Sequence, residues 1–101
     1  MVLKYLPSAN RGDNILNFHA GDIVLSKAGR DKDKYFVVME VVDAQFVLIA
    51  DGDLRRVDSL KRKKCKHLTN TGDASELVKD KLLAGTRVTN PDLKKELAKY
   101  N

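Results

Sequence analysis

Residues 21–53 have the sequence GDIVLSKAGRDKDKYFVVMEVVDAQFVLIADGD, and this stretch decides the fold class. Short runs rich in Val, Ile and Phe alternate in it with polar turn residues, a texture typical of β-strands. The runs predict strands over residues 22–27, 35–43 and 46–51. The polar loop after the first run contains Gly29, which can adopt a positive φ, and residues 43–45 are predicted to form a tight hairpin turn.

Two further short strands are predicted beyond this stretch, over residues 54–57 and 65–68, with a basic loop at 58–64 between them. Five strands in so short a segment are too few for a two-sheet sandwich of normal size. They are enough to curl into a small closed barrel, which removes exposed strand edges. The sequence therefore predicts a mainly β fold built on a small five-stranded barrel.

A first helical pattern follows a predicted linker at residues 69–72. Asp73 with Glu76 three residues later resembles a capping box, and Gly85 is placed to end the helix. The predicted apolar face of this helix consists of Ala74, Leu77, Val78 and Leu82.

A second helical pattern begins at Asn90, the predicted N-cap, with Pro91 at the first helical position. Its predicted apolar stripe consists of Leu93, Leu97 and Tyr100. The two patterns predict a C-terminal helical hairpin that packs on the barrel.

The N-terminal residues show neither strand nor helix periodicity and are predicted to form an arm. Ile15, Leu16 and Phe18 are its candidates for docking on the core. The predicted organisation is an arm at residues 1–20, a barrel at 21–69 and a helical hairpin at 70–101.

The positive charge of the chain is concentrated in one segment. The 101 residues include 19 Lys and Arg and 14 Asp and Glu, a net charge of +5. Residues 21–53 carry a net charge of −3, whereas residues 54–68 hold seven basic side chains against Asp58, a local charge of +6. Such a concentration is typical of a phosphate-facing surface, and a solvated basic loop is the alternative.

The composition argues against several classes of protein. A chain of 101 residues is too short for a two-lobed enzyme. The single cysteine, Cys65, is predicted to be a core residue, and with only His19 and His67 beside it the chain has no zinc-site spacing. No nucleophile with a base and an orienting carboxylate is evident, so no enzyme, metal or cofactor is predicted. Without a bilayer-spanning run or a secretory pattern, the protein is predicted to be soluble and cytoplasmic, with neither a membrane nor a small-molecule substrate as a partner.

Three segments together resemble a KOW motif: Gly21-Asp22-Ile23-Val24, Lys27-Ala28-Gly29-Arg30-Asp31-Lys32 and Phe36-Val37-Val38. KOW motifs are the strand-loop-strand units of SH3-like barrels in ribosomal proteins and transcription elongation factors. The similarity continues through residues 41–48 and 61–68. This longer string is similar to the fourteenth e-type large-subunit protein of archaeal and eukaryotic ribosomes, and closer to the small bacterial KOW-domain RNA-binding proteins related to it.

The resemblance covers roughly residues 21–68, and the tail at 83–90 also resembles the bacterial relatives. One position departs from the pattern, because Asp33 stands where many KOW loops have a second glycine. This change adds negative charge and restricts the loop backbone, whereas Gly29 still allows close approach to a phosphate.

The resemblance implies an SH3-like barrel and an RNA-binding protein. The expected target is structured RNA, above all the ribosomal RNA of the large subunit, and ribosomal proteins are possible further partners. Shape-led, salt-sensitive binding is expected, since phosphate contacts position a protein without reading sequence. The candidate RNA-binding residues are Lys27, Gly29, Arg30, Lys32, Lys34, Arg55, Arg56, Lys61, Arg62, Lys63, Lys64, Lys66 and His67.

Several of these residues have a structural alternative. The aspartates that alternate with Lys32 and Lys34 could neutralise them. Arg55 and Arg56 are adjacent on a predicted strand and would point to opposite faces, so at most one of them is expected on the binding side. His67 could stack on a base, but a residue in a terminal strand is more often a half-buried packing residue, and this role is favoured for it.

The rival function is a protein-docking module of the transcription or translation machinery, which would use the apolar strands of the −3 segment. The +6 segment favours RNA, because a docking barrel does not need it. A mixed function is a third alternative, in which the barrel binds ribosomal RNA while the arm or the helical hairpin contacts a ribosomal protein.

Overall fold

The computed structural model describes residues 18–101, which form a five-stranded antiparallel sheet followed by two helices. The strands are β1 (Asp22–Ser26), β2 (Tyr35–Val41), β3 (Phe46–Ala50), β4 (Lys61–Lys64) and β5 (Leu68–Ala74). A 3₁₀ turn, Cys65–His67, links β4 to β5, and the helices are α1 (Glu76–Ala84) and α2 (Asn90–Leu97). The predicted mainly β class and the two C-terminal helices are confirmed.

Most of the predicted arm, including Ile15 and Leu16, lies outside the described residues. Phe18 is described and is buried in the core with 5% of its surface exposed, so its predicted docking is confirmed. Among residues 18–101 there is no helix with the length and apolar character that crossing a membrane requires.

The strands are ordered β4-β3-β2-β1-β5, so that β4 and β5 are the two edges. Neighbouring strands place Val24 opposite Phe36 and Val38 opposite Ile49. Side chains alternate between the two faces of a strand, yet Phe36, Val37 and Val38 are all fully buried. The central strand β2 is therefore covered on both sides, which explains its continuous apolar run.

Two apolar clusters cover the two faces of the sheet. The first contains Phe18, Val24, Phe36, Val38, Val47, Ile49, Cys65 and Leu68. The second joins the sheet to the helices and contains Ile23, Val37, Ala50, Val78, Val88, Leu93 and Leu97. The predicted core role of Cys65 is confirmed. Burial, and to a lesser extent the negative charge of Asp43, raises the pKa of its thiol.

The predicted strand at residues 54–57 is wrong, because this segment consists of bends and turns. The fourth strand is formed instead by Lys61–Lys64, which was predicted to be a basic loop. Lys63 pairs with Val47 across the β3–β4 ladder, and Lys61 pairs with Ile49. Four consecutive basic residues thus form a strand because their backbone pairs with the apolar strand β3, although their side chains show no apolar pattern.

The predicted strand at residues 65–68 and the predicted linker at 69–72 are also wrong. Residues 65–67 form the 3₁₀ turn, and β5 runs through the linker to Ala74, across the predicted domain boundary. β5 has the polar sequence LTNTGDA, and it is held by pairing with β1 and by the Thr71 hydroxyl, which donates to the carbonyl of Ile23 at 2.7 Å.

The cap of α1 is Ser75 rather than the predicted Asp73. The Ser75 hydroxyl oxygen accepts from the backbone N–H of Val78 at 3.1 Å, and the hydroxyl donates to Glu96 on α2 at 2.6 Å. Gly85 ends the helix in the left-handed conformation, as predicted. Val78 is the buried residue of α1, whereas Leu82 of the predicted apolar face is 36% exposed.

Thr89, not the predicted Asn90, caps α2. Thr89 forms a capping box with Asp92, and Pro91 lies in the first turn as predicted. The predicted apolar stripe is confirmed, since Leu93 and Leu97 are buried and Tyr100 packs against the same cluster.

An ion pair between Lys81 and Asp92 joins the two helices and predicts a pH dependence of stability. The Lys81 ammonium is 2.7 Å from Asp92, and its hydrogen bond, together with that from the Thr89 backbone, lowers the pKa of Asp92 from 3.8 to about 2. A carboxylate whose pKa is lower in the folded state stabilises the fold at pH values above its ordinary pKa, which is 3.8 for Asp92. That stabilisation is lost as the pH falls through the folded-state pKa of about 2.

We therefore expect Asp92→Asn to lower the urea midpoint of unfolding by a constant amount from neutral pH down to about pH 5. The difference from the wild type should shrink below that pH as the pH falls toward the folded pKa of about 2, and it should be lost only at about pH 1, where Asp92 is protonated in both states. Urea titrations at stepped pH test this, and a difference that does not change with pH would contradict it.

Candidate nucleic-acid interface

The loop between β1 and β2 is closed by its own backbone. The N–H of Ser26 donates to the carbonyl of Lys34 at 2.9 Å, and the N–H of Asp33 donates to the carbonyl of Ser26 at 2.8 Å. Gly29 has a φ of 84° and Asp33 a φ of 71°, the one positive φ outside glycine in the described part of the chain. Position 33 thus has the left-handed conformation that favours glycine, and aspartate is among the residues that tolerate it.

This loop packs against residues 61–67, a basic segment that follows it by some thirty residues in the chain. The backbone N–H of Lys27 donates to the carbonyl of His67 at 2.8 Å. The ammonium of Lys63 donates to the carbonyl of Ala28 at 2.8 Å. Two segments that are distant in sequence are therefore in direct contact.

Seven exposed cations lie on these two touching segments, and we call six of them the basic surface; the seventh, Lys34, lines a cleft beside α2. The members of the basic surface are Lys27, Arg30, Lys32, Arg62, Lys64 and Lys66. Within the same segments, Asp33 is the exposed acidic residue. The excess of positive charge predicted from sequence is thus present as exposed side chains on the two segments that touch.

Lys63 does not belong to the basic surface, because it is buried, with 9% of its surface exposed. Its ammonium is 2.7 Å from the carboxylate of Asp31, which is 4% exposed. Burial acts to raise the pKa of Asp31, but the hydrogen bonds from Lys63 and Ser26 outweigh it and hold that pKa below 3.8. Asp31 therefore neutralises Lys63 rather than its sequence neighbours Lys32 and Lys34.

Arg62 extends the basic surface onto the outer side of β4. Its guanidinium lies over the ring of Phe46, 4.1 Å from the ring centroid. Lys64 lies directly opposite Phe46 in the β3–β4 ladder, so the two cations share one face. Phe46 is half-buried, and Arg62 covers its ring.

The remaining candidates lie elsewhere or are less accessible. Arg55 and Arg56 belong to a loop that packs on the start of α2, where the Val57 N–H donates to the Asn90 side chain at 2.8 Å. These arginines are not on a strand, so the expectation of opposite faces is wrong. Lys34 lines a cleft beside α2, and Lys61 and His67 are half-buried.

An apolar surface on α1 was not predicted from the sequence. Leu83 is 88% exposed, and Leu82 lines a groove of about 470 Å³ together with Phe18, Met39 and Val41. Leu82 was predicted to face the core because it has helical spacing from Val78. The sequence carries no signal that would have shown its exposure, since the same spacing describes a buried face.

No family model matches this chain, and no curated protein matches it either. In the part of the chain from residue 18 onward, no group of three or more His, Cys, Asp or Glu side chains is placed to hold a metal ion.

Proposed function

We propose that this protein binds RNA and that the basic surface contacts the phosphate backbone of structured RNA. The expected target is ribosomal RNA of the large subunit, bound by a ribosomal protein or a ribosome-associated factor. The observation that supports the proposal is the contact between the β1–β2 loop and residues 61–67, the two segments that carry the six cations of the basic surface. Each phosphate that these cations neutralise would release condensed counterions and so favour binding.

The chemistry of the basic surface favours recognition of shape. Lysine and arginine side chains contact phosphates, which position a protein without reading bases. Sequence-specific binding of single strands commonly uses free aromatic rings for base stacking. Phe46, the aromatic residue on the face of Lys64, is already covered by Arg62. The expected target is therefore folded or helical RNA.

We also propose that the sheet is the SH3-like barrel of a KOW-domain protein. In a flat sheet, β4 would lie three spacings from β1, about 14 Å away, which is farther than a lysine side chain reaches. Lys63 on β4 nevertheless contacts Ala28, which follows β1 by two residues. The edge strands β4 and β5 are joined by a turn of three residues. Both observations support a strongly curled sheet.

The proposed function is tested by sedimentation of the tagged protein from a cell lysate at low and at high monovalent salt. We expect it to migrate with the large ribosomal subunit at low salt and to be released at high salt, because phosphate contacts weaken steeply with salt. Retention at high salt would indicate an integral ribosomal component. The proposal is wrong if the protein stays at the top of the gradient in both salts and the purified protein also fails to bind structured RNA.

The second candidate is a protein-docking module of the translation or transcription machinery. The observation that favours it is the apolar surface of α1, formed by the exposed Leu82 and Leu83 beside Ala20. In that case Leu82→Glu with Leu83→Glu should abolish association with the partner, whereas charge reversal on the basic surface should not. The mixed function is expected to respond to both pairs of substitutions.

A further inference from the structure

The β1–β2 loop is anchored by a buried ion pair whose partners come from two different elements. The Lys63 ammonium on β4 donates to Oδ1 of Asp31 at 2.7 Å, and the Ser26 hydroxyl donates to the same oxygen at 2.9 Å. Lys63 also donates to the carbonyl of Ala28 at 2.8 Å. The other oxygen of Asp31, Oδ2, is buried and has no hydrogen-bond partner among the described residues.

Stability alone does not explain this arrangement. Removing two charges from water costs about as much free energy as their attraction returns, and apolar residues of similar size often stabilise a fold equally well. The incomplete pairing of Asp31 adds to that cost. The position of the pair suggests what it contributes, because it ties the loop backbone to the strand that carries the basic surface.

The loop closes tightly over the Lys63 ammonium. A Cβ atom placed on Gly29 would lie 3.2 Å from Lys63 Nζ. The ion pair therefore holds the loop at Gly29, where the backbone has a positive φ. The exposed cations Lys27, Arg30 and Lys32 are carried by this same loop.

We propose that Lys63 and Asp31 are positioning residues for RNA binding. The buried pair holds the β1–β2 loop so that its cations meet the RNA backbone together with Lys64 and Lys66, while Lys63 itself contacts no phosphate. This inference rests on the proposed RNA-binding function. It assigns to Lys63 a role different from the direct RNA contact predicted from the sequence.

The double variant Asp31→Asn with Lys63→Met tests the proposal, because it removes the pair without changing the net charge or leaving a lone buried charge. We expect its affinity for purified large-subunit ribosomal RNA to fall about tenfold, since a loosened loop must be ordered on binding. The slope of log affinity against log salt should stay unchanged, because the same phosphates are neutralised in the complex. The control, Lys64→Met, removes an exposed cation and should lower that slope by about one.

Two further measurements keep the test decisive. Urea unfolding of the double variant shows whether it is folded at the temperature of the binding assay. Hydrogen exchange of the Asp33 amide, which donates to the Ser26 carbonyl in the wild type, should be faster in the double variant if the pair holds the loop.

A slope lowered by about one in the double variant would show that Lys63 contacts a phosphate. That result, unchanged affinity or unchanged exchange would each overturn this inference while leaving the proposed function in place. A wild-type protein that does not bind RNA would overturn the proposed function and this inference with it. If the double variant does not fold, the exchange and binding arms are repeated with Ser26→Ala, which removes the hydroxyl that donates to Asp31 without changing any charge. Smaller losses of affinity and of exchange protection, again with an unchanged slope, are then expected.

Discussion

Lys64→Glu together with Lys66→Glu is expected to weaken binding to structured RNA by about 100-fold or more. Both side chains are exposed on the segment that adjoins the β1–β2 loop. A hydrogen bond to a charged group contributes about 1.5 to 3 kcal/mol, so the loss of one phosphate contact costs about tenfold or more in affinity. The glutamates add repulsion from the phosphates. Binding assays over a series of salt concentrations should also show a slope lowered by about two.

The matched control is Lys94→Glu with Lys95→Glu on α2. These lysines are also exposed, and the double reversal changes the net charge by the same amount. α2 contributes Leu93 and Leu97 to the second apolar cluster, and Lys94 shares a cleft with Lys34, which is not part of the basic surface. We expect the control to weaken binding only a few-fold, through the long-range field. Equal losses in the two variants would show that net charge, and not the basic surface, drives binding.

Gly52→Ala is expected to destabilise the fold by about 3 to 4 kcal/mol, from left-handed strain and from overpacking. Gly52 has a φ of 82°, and an added Cβ atom would lie 2.3 Å from the backbone oxygen of Asn90. That oxygen belongs to the first turn of α2 and cannot rotate away as a side chain does. The helix or the loop must move, which disturbs the packing of Leu93. Urea unfolding measures the loss.

Gly72→Ala is the control for this substitution. Gly72 has a φ of 88°, but no atom lies within 4 Å of an added Cβ. It therefore carries the backbone strain without the collision, and we expect a cost of about 1 to 2 kcal/mol. The difference between the two variants isolates the contact between the loop and α2. Equal losses would mean that this contact is loose enough to accommodate a methyl group.

The central strands could be predicted from the sequence because strands that are buried on both faces consist mostly of apolar residues. β1, β2 and β3 have apolar neighbours on both sides of the sheet, so their residues are mostly apolar. The edge strands β4 and β5 have no such apolar pattern. They consist of KRKK and LTNTGDA, and backbone pairing with β3 and β1 makes them strands. Backbone hydrogen bonds do not depend on side-chain polarity, so composition does not reveal them.

The helices show the same limit at their ends. The spacing of Leu93 and Leu97 predicted the buried side of α2, and Gly85 predicted the end of α1. The caps were each assigned one or two positions away from Ser75 and Thr89. Several neighbouring side chains there can accept a hydrogen bond from a backbone N–H. Which of them becomes the cap depends on where the preceding strand or loop ends.

The amino-acid sequence was sufficient to predict the mainly β class, the apolar core strands, the two C-terminal helices and the concentration of positive charge after residue 53. These properties follow from residue type and local spacing. Only the tertiary structure decided which cations are accessible. Lys63 and Lys64 are neighbours of identical chemistry, yet the alternation of β4 buries the first against Asp31 and exposes the second. An ion pair between residues 32 positions apart depends on which elements the fold brings into contact, and no local sequence pattern encodes those contacts.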